Sequence, residues 1–318
     1  MPVSGDPIVE VRNLAKRYGA NVAIRDVTFR VHVGRVFGLL GLNGAGKTTT
    51  LECLLGLRQP DAGSVVIDSI DARRDPAAAK ARVGAQLQAA ALPEKLTPRQ
   101  ALRYFGSFYA DARPPEQLLA EFDLGAKADS PFDSLSGGQK QRLFLALAFV
   151  HGPRVVVLDE PTAGLDPGAR RELQACITAA RGRGVAVLLS THDLDEAEQV
   201  CDEVAILHDG RVAAHGSPRE LVAAAPRLVR FDIVTERPLA WSPEAGAGDV
   251  TVVCASSGIG HAPSSATCEA ARLEIALGRV VAHLSATGNR LLDVRVQRPT
   301  LEDVFFAVTG SRWQEGGS

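Results

Sequence analysis

The chain has 318 residues, 46% of them hydrophobic, which is enough for one large domain or two smaller ones with ample core. Its formal charge of −2 excludes a general nucleic-acid surface, which needs a strong basic excess. The five cysteines (Cys53, Cys176, Cys201, Cys254 and Cys268) are scattered, odd in number and without a C-x-x-C pair, so neither a zinc site nor a disulfide framework is expected.

The first residues, Met1 to Asp6, carry neither the basic region nor the apolar core of a signal peptide, and none is expected. Ile8 to Leu14 and Val27 to Val33 read as strands, with Tyr18 between them in Lys16-Arg17-Tyr18-Gly19. Val36 to Leu40 reads as a buried strand that runs into Gly41-Leu42-Asn43-Gly44-Ala45-Gly46-Lys47-Thr48, a G-x-x-x-x-G-K-[ST] phosphate loop. Its glycines let consecutive N–H groups wrap phosphates at close range. Lys47, expected in an exposed loop, reaches the β- and γ-phosphates, and the Thr48 hydroxyl suits Mg²⁺. Thr48 to Leu57 reads as a helix whose N-terminus faces the anion.

After a short β-type run, Val65 to Ile67, a mostly helical stretch is expected from about Asp71 to Gln139, with the insertion proper at about residues 90–145. It includes Val83-Gly84-Ala85-Gln86-Leu87-Gln88, where period-2 alternation places Gln86 and Gln88 on one strand face and does not separate them. Thr97-Pro98-Arg99-Gln100 opens a helix running through Ala101, Leu102, Phe105 and Phe108, and Pro114-Pro115-Glu116-Gln117 opens another. Leu135-Ser136-Gly137-Gly138-Gln139 is a second glycine turn, with Ser136 placed to cap the helix that follows. A capped helix N-terminus is itself an anion site. Within that helix, Leu143 to Val150 is the longest strongly apolar stretch, far short of the ~20 residues of a spanning helix.

Val155 to Leu158 has the aliphatic pattern of a central parallel strand and ends in Asp159 and Glu160. Ligands of an open α/β sheet lie at the carboxyl ends of its strands, so both acids belong beside the phosphates: Asp159 as a Mg²⁺ partner, Glu160 as the base that polarises water. A helix near Gly168 to Arg181, a strand Val185 to Leu189, His192 at the same sheet edge, a helix Leu194 to Cys201 and a strand Val204 to His208 follow. Strands joined by crossover helices give an α/β fold with a mainly parallel core sheet. Beyond about Leu221, β-type runs are expected at Leu228 to Val234, Val250 to Cys254, Leu273 to Leu277 and Leu291 to Val296, separated by Gly- and Ser-rich breaks. The last helix opens with Thr300 and Asp303 as a capping box, carries an apolar stripe of Leu301, Val304, Phe305 and Val308, and stops at Gly310. The expected domains are residues 1–225 and a smaller α+β accessory domain at 226–318.

In this order the phosphate loop, the Leu135–Gln139 turn and the Asp159-Glu160 pair resemble the ATP-binding-cassette (ABC) ATPases, over roughly Ile8 to Leu221. The resemblance implies a P-loop NTPase fold with a β-rich N-terminal subdomain, and ATP with Mg²⁺ as cofactors. It implies that Tyr18 stacks on adenine and that residues 41–49, Thr49 included, hold the phosphates. Ser136, Gly137, Gly138 and Gln139 would be a signature motif that binds the γ-phosphate held by the opposite protomer of a homodimer. Thr48, Gln88 and Asp159 would serve Mg²⁺; Gln88, chosen over Gln86 on family spacing, would also couple to the membrane subunit. Ala163-Gly164-Leu165-Asp166 would be a dimer-contact loop and His192 the switch histidine. Gly41 to Thr49, Leu96 to Leu102 and Pro299 to Gly310 together look like the ABC-2 type exporter ATPases, notably the daunorubicin/doxorubicin-resistance group. Ser69 departs from them, standing where the family usually has Gly before Ile70-Asp71.

The function this implies is an ATP-hydrolysing subunit, peripheral on the cytoplasmic face of the membrane. It would energise efflux of a drug-like, lipid or other hydrophobic substrate through a separate permease, with no nucleic-acid partner. An importer ATPase with a regulatory tail, or a non-transport ATPase of the family, are the alternatives. Arginine far exceeds lysine and no lysine follows Lys140, which suggests a GC-rich bacterial genome.

Overall fold

The computed structural model describes residues 6–87, 91–224, 229–238, 250–256, 264–270, 272–297 and 299–310. The chain divides into two compact units between Leu221 and Val222. Among the described residues the first unit holds ten strands: β1 (Val9–Tyr18), β2 (Asn21–Val31), β3 (Val36–Leu40), β4 (Ala62–Ile67), β5 (Ile70–Asp71), β6 (Val83–Gln86), β7 (Val155–Asp159), β8 (Ala186–Thr191), β9 (Glu203–His208) and β10 (Arg211–Gly216). Its helices are α1 (Lys47–Leu54), α2 (Pro76–Lys80), α3 (Pro98–Gly106), α4 (Pro115–Glu121), α5 (Gly137–Ala148), α6 (Pro167–Gly182) and α7 (Leu194–Val200), with α8 (Pro218–Ala224) at the division.

The strand order is β5-β4-β1-β2-β10-β9-β3-β8-β7-β6. Strands β9, β3, β8, β7 and β6 run parallel, whereas β1, β2, β4 and β5 form an antiparallel flank joined to the rest by one pairing, Arg211 with Asp26. Every residue of β3, β7 and β8 is buried, as in a sheet covered on both faces. On one face Val155, Val157 and Leu188 pack in one core with Leu51 and Leu54 of α1. The ladder register sets the site. Leu40 pairs with Thr191, Asp159 with Ser190, and Leu158 with Gln86, so the chain leaves β3, β8, β7 and β6 along one edge.

Several boundaries differ from expectation. Helix α1 begins at Lys47 and ends at Leu54, and Leu57 is exposed. Helix α3 has the Thr97–Gln100 capping box but ends at Gly106, leaving Phe108 in solvent rather than on the helix. Strand β2 stops at Val31, so Val33 lies outside it and is exposed. The stretch expected to be mostly helical from Asp71 contributes β6 to the edge of the core sheet. There Gly84 is pressed so close to α5 that an added Cβ would lie 1.8 Å from the Ala148 carbonyl oxygen.

The second unit contains β11 (Val229–Thr235), β12 (Val250–Ser256), β13 (Ser264–Ala270), α9 (Leu273–Ala286), β14 (Leu291–Gln297) and α10 (Leu301–Thr309). Its strands form an antiparallel sheet, β12-β13-β11-β14. Leu273 to Leu277, expected as a β-type run, is the first part of helix α9. Five apolar residues do not distinguish the two periods, but Ala276, Val280 and Leu284 recur every four residues and pack on Phe231, Ile233 and Cys268. Strand β13 was not anticipated, because its buried positions Ser264, Ala266, Cys268 and Ala270 are small. The Thr300–Asp303 capping box opens α10 and Gly310, at φ 69, closes it. Leu301, Val304 and Phe305 are buried, whereas Val308 is 40% exposed, so the apolar stripe ends one turn early.

Candidate active site

The phosphate loop links β3 to α1. Gly46 caps α1 at φ 104, and an added Cβ would lie 2.6 Å from the Ala23 carbonyl oxygen, so only glycine fits there. Lys47 is not in an exposed loop as expected: it is the first residue of α1 and only 5% exposed. Its Nζ donates to the carbonyls of Gly41 at 2.7 Å and Leu42 at 3.4 Å. Burial pushes its pKa down, while Glu160 and Asp159 pull the other way. Thr48 is exposed, Thr49 is half-buried, and Thr50 is buried and donates to the Gly46 carbonyl.

Strand β7 delivers the two carboxylates differently. Asp159 is 2% exposed and accepts a hydrogen bond from Ser190 Oγ on β8. Glu160 turns off the strand at φ 50, a left-handed conformation that costs a non-glycine residue about 1–3 kcal/mol. Its N–H is shared between Ser190 Oγ at 3.0 Å and the Ser190 carbonyl at 3.2 Å, which holds the turn. One carboxylate oxygen of Glu160 lies 3.7 Å from Lys47 Nζ, and the other lies 3.3 Å from His192 Nδ1. The structure thus brings Lys47, Glu160 and His192 into one cluster, across three strand ends.

His192 sits in a braced turn. Thr191 Oγ1 accepts from the Asp193 N–H at 2.9 Å and donates to Glu196 at 2.6 Å, while Asp193 caps α7 by accepting from the Glu196 N–H. Glu196 is 1% exposed and burial raises its pKa. Asp166 at the end of the Ala163–Asp166 loop caps α6, accepting from the N–H groups of Gly168 and Ala169, which lower its pKa.

Ser136 caps α5 reciprocally with Gln139 and is exposed, as is Gly137. Gly138 abuts Ala169 on α6, where an added Cβ would approach to 2.6 Å. Among the described residues, no hydrogen bond or ion pair joins Ser136 to Gln139 with the phosphate loop of the same chain. Tyr18 ends β1 with its ring 40% exposed, and the cations of Lys16 and Arg58 stand 5.6 and 5.9 Å from its centroid. Gln88 lies outside the described residues. Its rival Gln86 is 5% exposed and donates to Gln141 on α5.

Sequence reasoning missed Ser190, Thr191, Glu196 and Gln141. Asp193 followed three residues later by Glu196 is a capping pattern that could have flagged the turn around His192. For Ser190 the only signal was its place at the end of an apolar strand.

The ABC transporter family model matches residues 24–163. The daunorubicin resistance ATP-binding protein DrrA3 of Streptomyces coeruleorubidus is 38% identical over 96% of this chain and 96% of its own length. The chain belongs to the ABC-transporter ATP-binding family. The Nod factor export ATP-binding protein I of Burkholderia orbicola (strain AU 1054) is 41% identical, over 75% of this chain and 80% of its own. Among solved structures, an ATP-binding subunit of an ABC transporter is 34% identical over 68% of this chain and 92% of its own, with a TM-score of 0.61. A dimeric ATP-binding cassette bound to ADP and Pi, at 24% identity and a TM-score of 0.59 over 66% of this chain and 98% of its own, shares the fold. This ABC subunit is an ATP-binding ATPase homologous to exporter ATPases. No described helix is long and apolar enough to cross a membrane.

Proposed function

We propose that this chain is the ATPase subunit of an ABC-2 type exporter, moving a drug-like, lipid or other hydrophobic substrate through a separate permease from the cytoplasmic face. The observation that carries this reading is the match to the daunorubicin resistance protein, which continues through the second unit rather than stopping with the cassette. In it, two copies close head-to-tail and each ATP lies between the phosphate loop of one chain and Ser136 to Gln139 of the other. The outward-facing Ser136 and Gly137, unconnected to their own loop, suit that arrangement. The domain boundary we assign lies near residue 225.

Tyr18 stacks on adenine, and the loop N–H groups with Lys47 hold the phosphates. Glu160 orients a water for in-line attack and takes its proton, and His192 hydrogen-bonds the γ-phosphate. Thr48 and Asp159, with Gln88, supply hard oxygen donors that suit Mg²⁺, and when bound that ion stabilises charge developing on the phosphoryl oxygens. A cavity of about 580 Å³, lined by Leu54, Ile67, Val83, Phe105 and Phe144, opens between the core sheet and the helical insertion. Its apolar walls, to which Leu87 and Leu92 also contribute, are suited to a permease segment.

Complementation tests the shared site. Lys47→Ala chains have a broken loop with an intact signature, and Ser136→Arg chains the reverse. Each alone should be nearly inactive, and mixing them should restore turnover in proportion to the mixed dimers formed. Full activity of Ser136→Arg by itself would refute the shared site. For direction, inside-out vesicles carrying the chain and its permease should accumulate a hydrophobic substrate with ATP; accumulation only in right-side-out vesicles would make it an importer.

A further inference from the structure

The β7–β8 ladder ends at the pair Asp159–Ser190, and past it the two chains part. One runs through Glu160-Pro161-Thr162 into the Ala163–Asp166 loop, the other through Thr191-His192-Asp193 into α7. Glu160 and His192 nevertheless stand 3.3 Å apart. Glu196, in the first turn of α7 and 1% exposed, acts on both chains. Its Oε2 accepts from Thr191 Oγ1 at 2.6 Å, one residue before His192. The Thr162 hydroxyl, two residues past Glu160, bears on the same carboxylate. A second tie runs in parallel. The Glu196 N–H donates to Asp193 Oδ1, and Asp193 Oδ2 pairs with Arg170 near the start of α6, the helix that the Ala163–Asp166 loop enters.

Packing by itself gives no reason for a carboxyl here. Burial pushes the Glu196 pKa up, against the pull of the two threonine hydroxyls, and Oε1 is buried without a hydrogen bond. A carboxyl so placed carries a desolvation cost that an apolar side chain of similar size would avoid. We propose that Glu196 is a positioning residue: by engaging Thr191 and Thr162 at once, it sets the separation of Glu160 and His192 where the β7–β8 ladder no longer does. Almost wholly buried, it works through that pair rather than on the nucleotide. This role presupposes the functions given above to Glu160 and His192.

The test measures ATP turnover of the full chain in Glu196→Leu, Glu196→Gln and Thr162→Val. Glu196→Leu should lower kcat by about 10–100-fold, the effect of misplacing reacting groups by ~1 Å, while KM for ATP changes by less than about threefold. Glu196→Gln keeps an oxygen that can accept from Thr191 and should restore most of the rate. Thr162→Val removes one of the two arms. Its kcat should fall less than that of Glu196→Leu, and adding it to Glu196→Leu should cost nothing further, because both changes break the same tie. If Glu196→Leu does not fold, as a thermal melt would reveal, Thr162→Val decides: reduced kcat at unchanged KM supports the role and wild-type kcat overturns it. Wild-type kcat in a folded Glu196→Leu, a Glu196→Gln as slow as Glu196→Leu, or losses that add in the double variant also overturn it. Glu160→Gln and His192→Ala are run alongside. Wild-type turnover in those two would strike the catalytic reading underneath, whereas low turnover there with a normal Glu196→Leu strikes the positioning role alone.

Discussion

Replacing Lys47 with alanine separates the binding role of this lysine from its structural one. The side chain is 5% exposed and its ammonium has three neighbours: the Gly41 and Leu42 carbonyls and the Glu160 carboxylate. Truncation strands those groups but also removes a charge that burial disfavours. The two effects oppose, so stability without ATP should change by only about 1 kcal/mol in either direction. Binding has no such compensation. Losing a desolvated charged partner of the phosphates costs on the order of 3 kcal/mol, or roughly 100-fold in Kd. At an ATP concentration near 100 times the wild-type Kd, ligand linkage adds about 2.7 kcal/mol to the wild type and about 0.4 kcal/mol to the variant. At ~2–4 °C per kcal/mol, the cassette's melting temperature should rise with ATP by about 5–10 °C in the wild type and by about 1 °C in Lys47→Ala. Differential scanning fluorimetry with and without ATP measures both quantities. An undiminished ATP shift in the variant refutes the phosphate role, and a variant that cannot fold without ATP refutes the estimate of opposing terms.

Glu160→Gln should retain ATP affinity while turnover falls about 10²–10⁴-fold, because the amide fits the same turn but cannot accept the water's proton; a rate near wild type removes Glu160 from that role. Ser190→Ala deletes the hydroxyl that holds Asp159 and the Glu160 N–H, and should lower turnover by about 10–100-fold as buried supporting partners do, with ATP affinity measured by titration changing far less. Tyr18→Ala should weaken ATP binding by about 1–2 kcal/mol through lost stacking, while Tyr18→Phe should retain it; equal affinities in a fluorescent-nucleotide titration would take adenine off this ring. Ser69→Gly should raise stability by about 0.5–1 kcal/mol, because Ser69 sits at φ 65 and the relief of left-handed strain exceeds the added chain entropy of glycine. The neighbouring Asp68, also left-handed at φ 50, should not tolerate the same change, since its carboxylate pairs with Arg82 and Arg154. Thermal melts of the two variants should move in opposite directions.

What the sequence by itself determined is chemistry carried by contiguous residues. The phosphate loop was legible because its glycines, lysine and threonine must sit at fixed spacing on one backbone turn. The helix start at Thr97, the N-cap at Ser136 and the capping box at Thr300 were legible for the same reason, each signal lying within four residues; that the first two are also reciprocal boxes with Gln100 and Gln139 is what the structure adds. The core strands β3 and β7 announced themselves as aliphatic runs ending at the site.

Tertiary structure alone decided what those local features meet. Ladder register places Glu160 between Lys47 and His192, although the three are scattered along the sequence. The same register gives Ser190 its task, since a serine ending a strand carries no sign of which neighbouring strand its hydroxyl will reach. The burial of Lys47 was hidden because exposure depends on what packs over a loop, and here Glu160 and the loop's own carbonyls enclose the ammonium. In the second unit, Leu273 to Leu277 and the small-residue strand β13 were misread or missed because short segments fit both periods, and only packing of α9 on β11 and β13 distinguishes them.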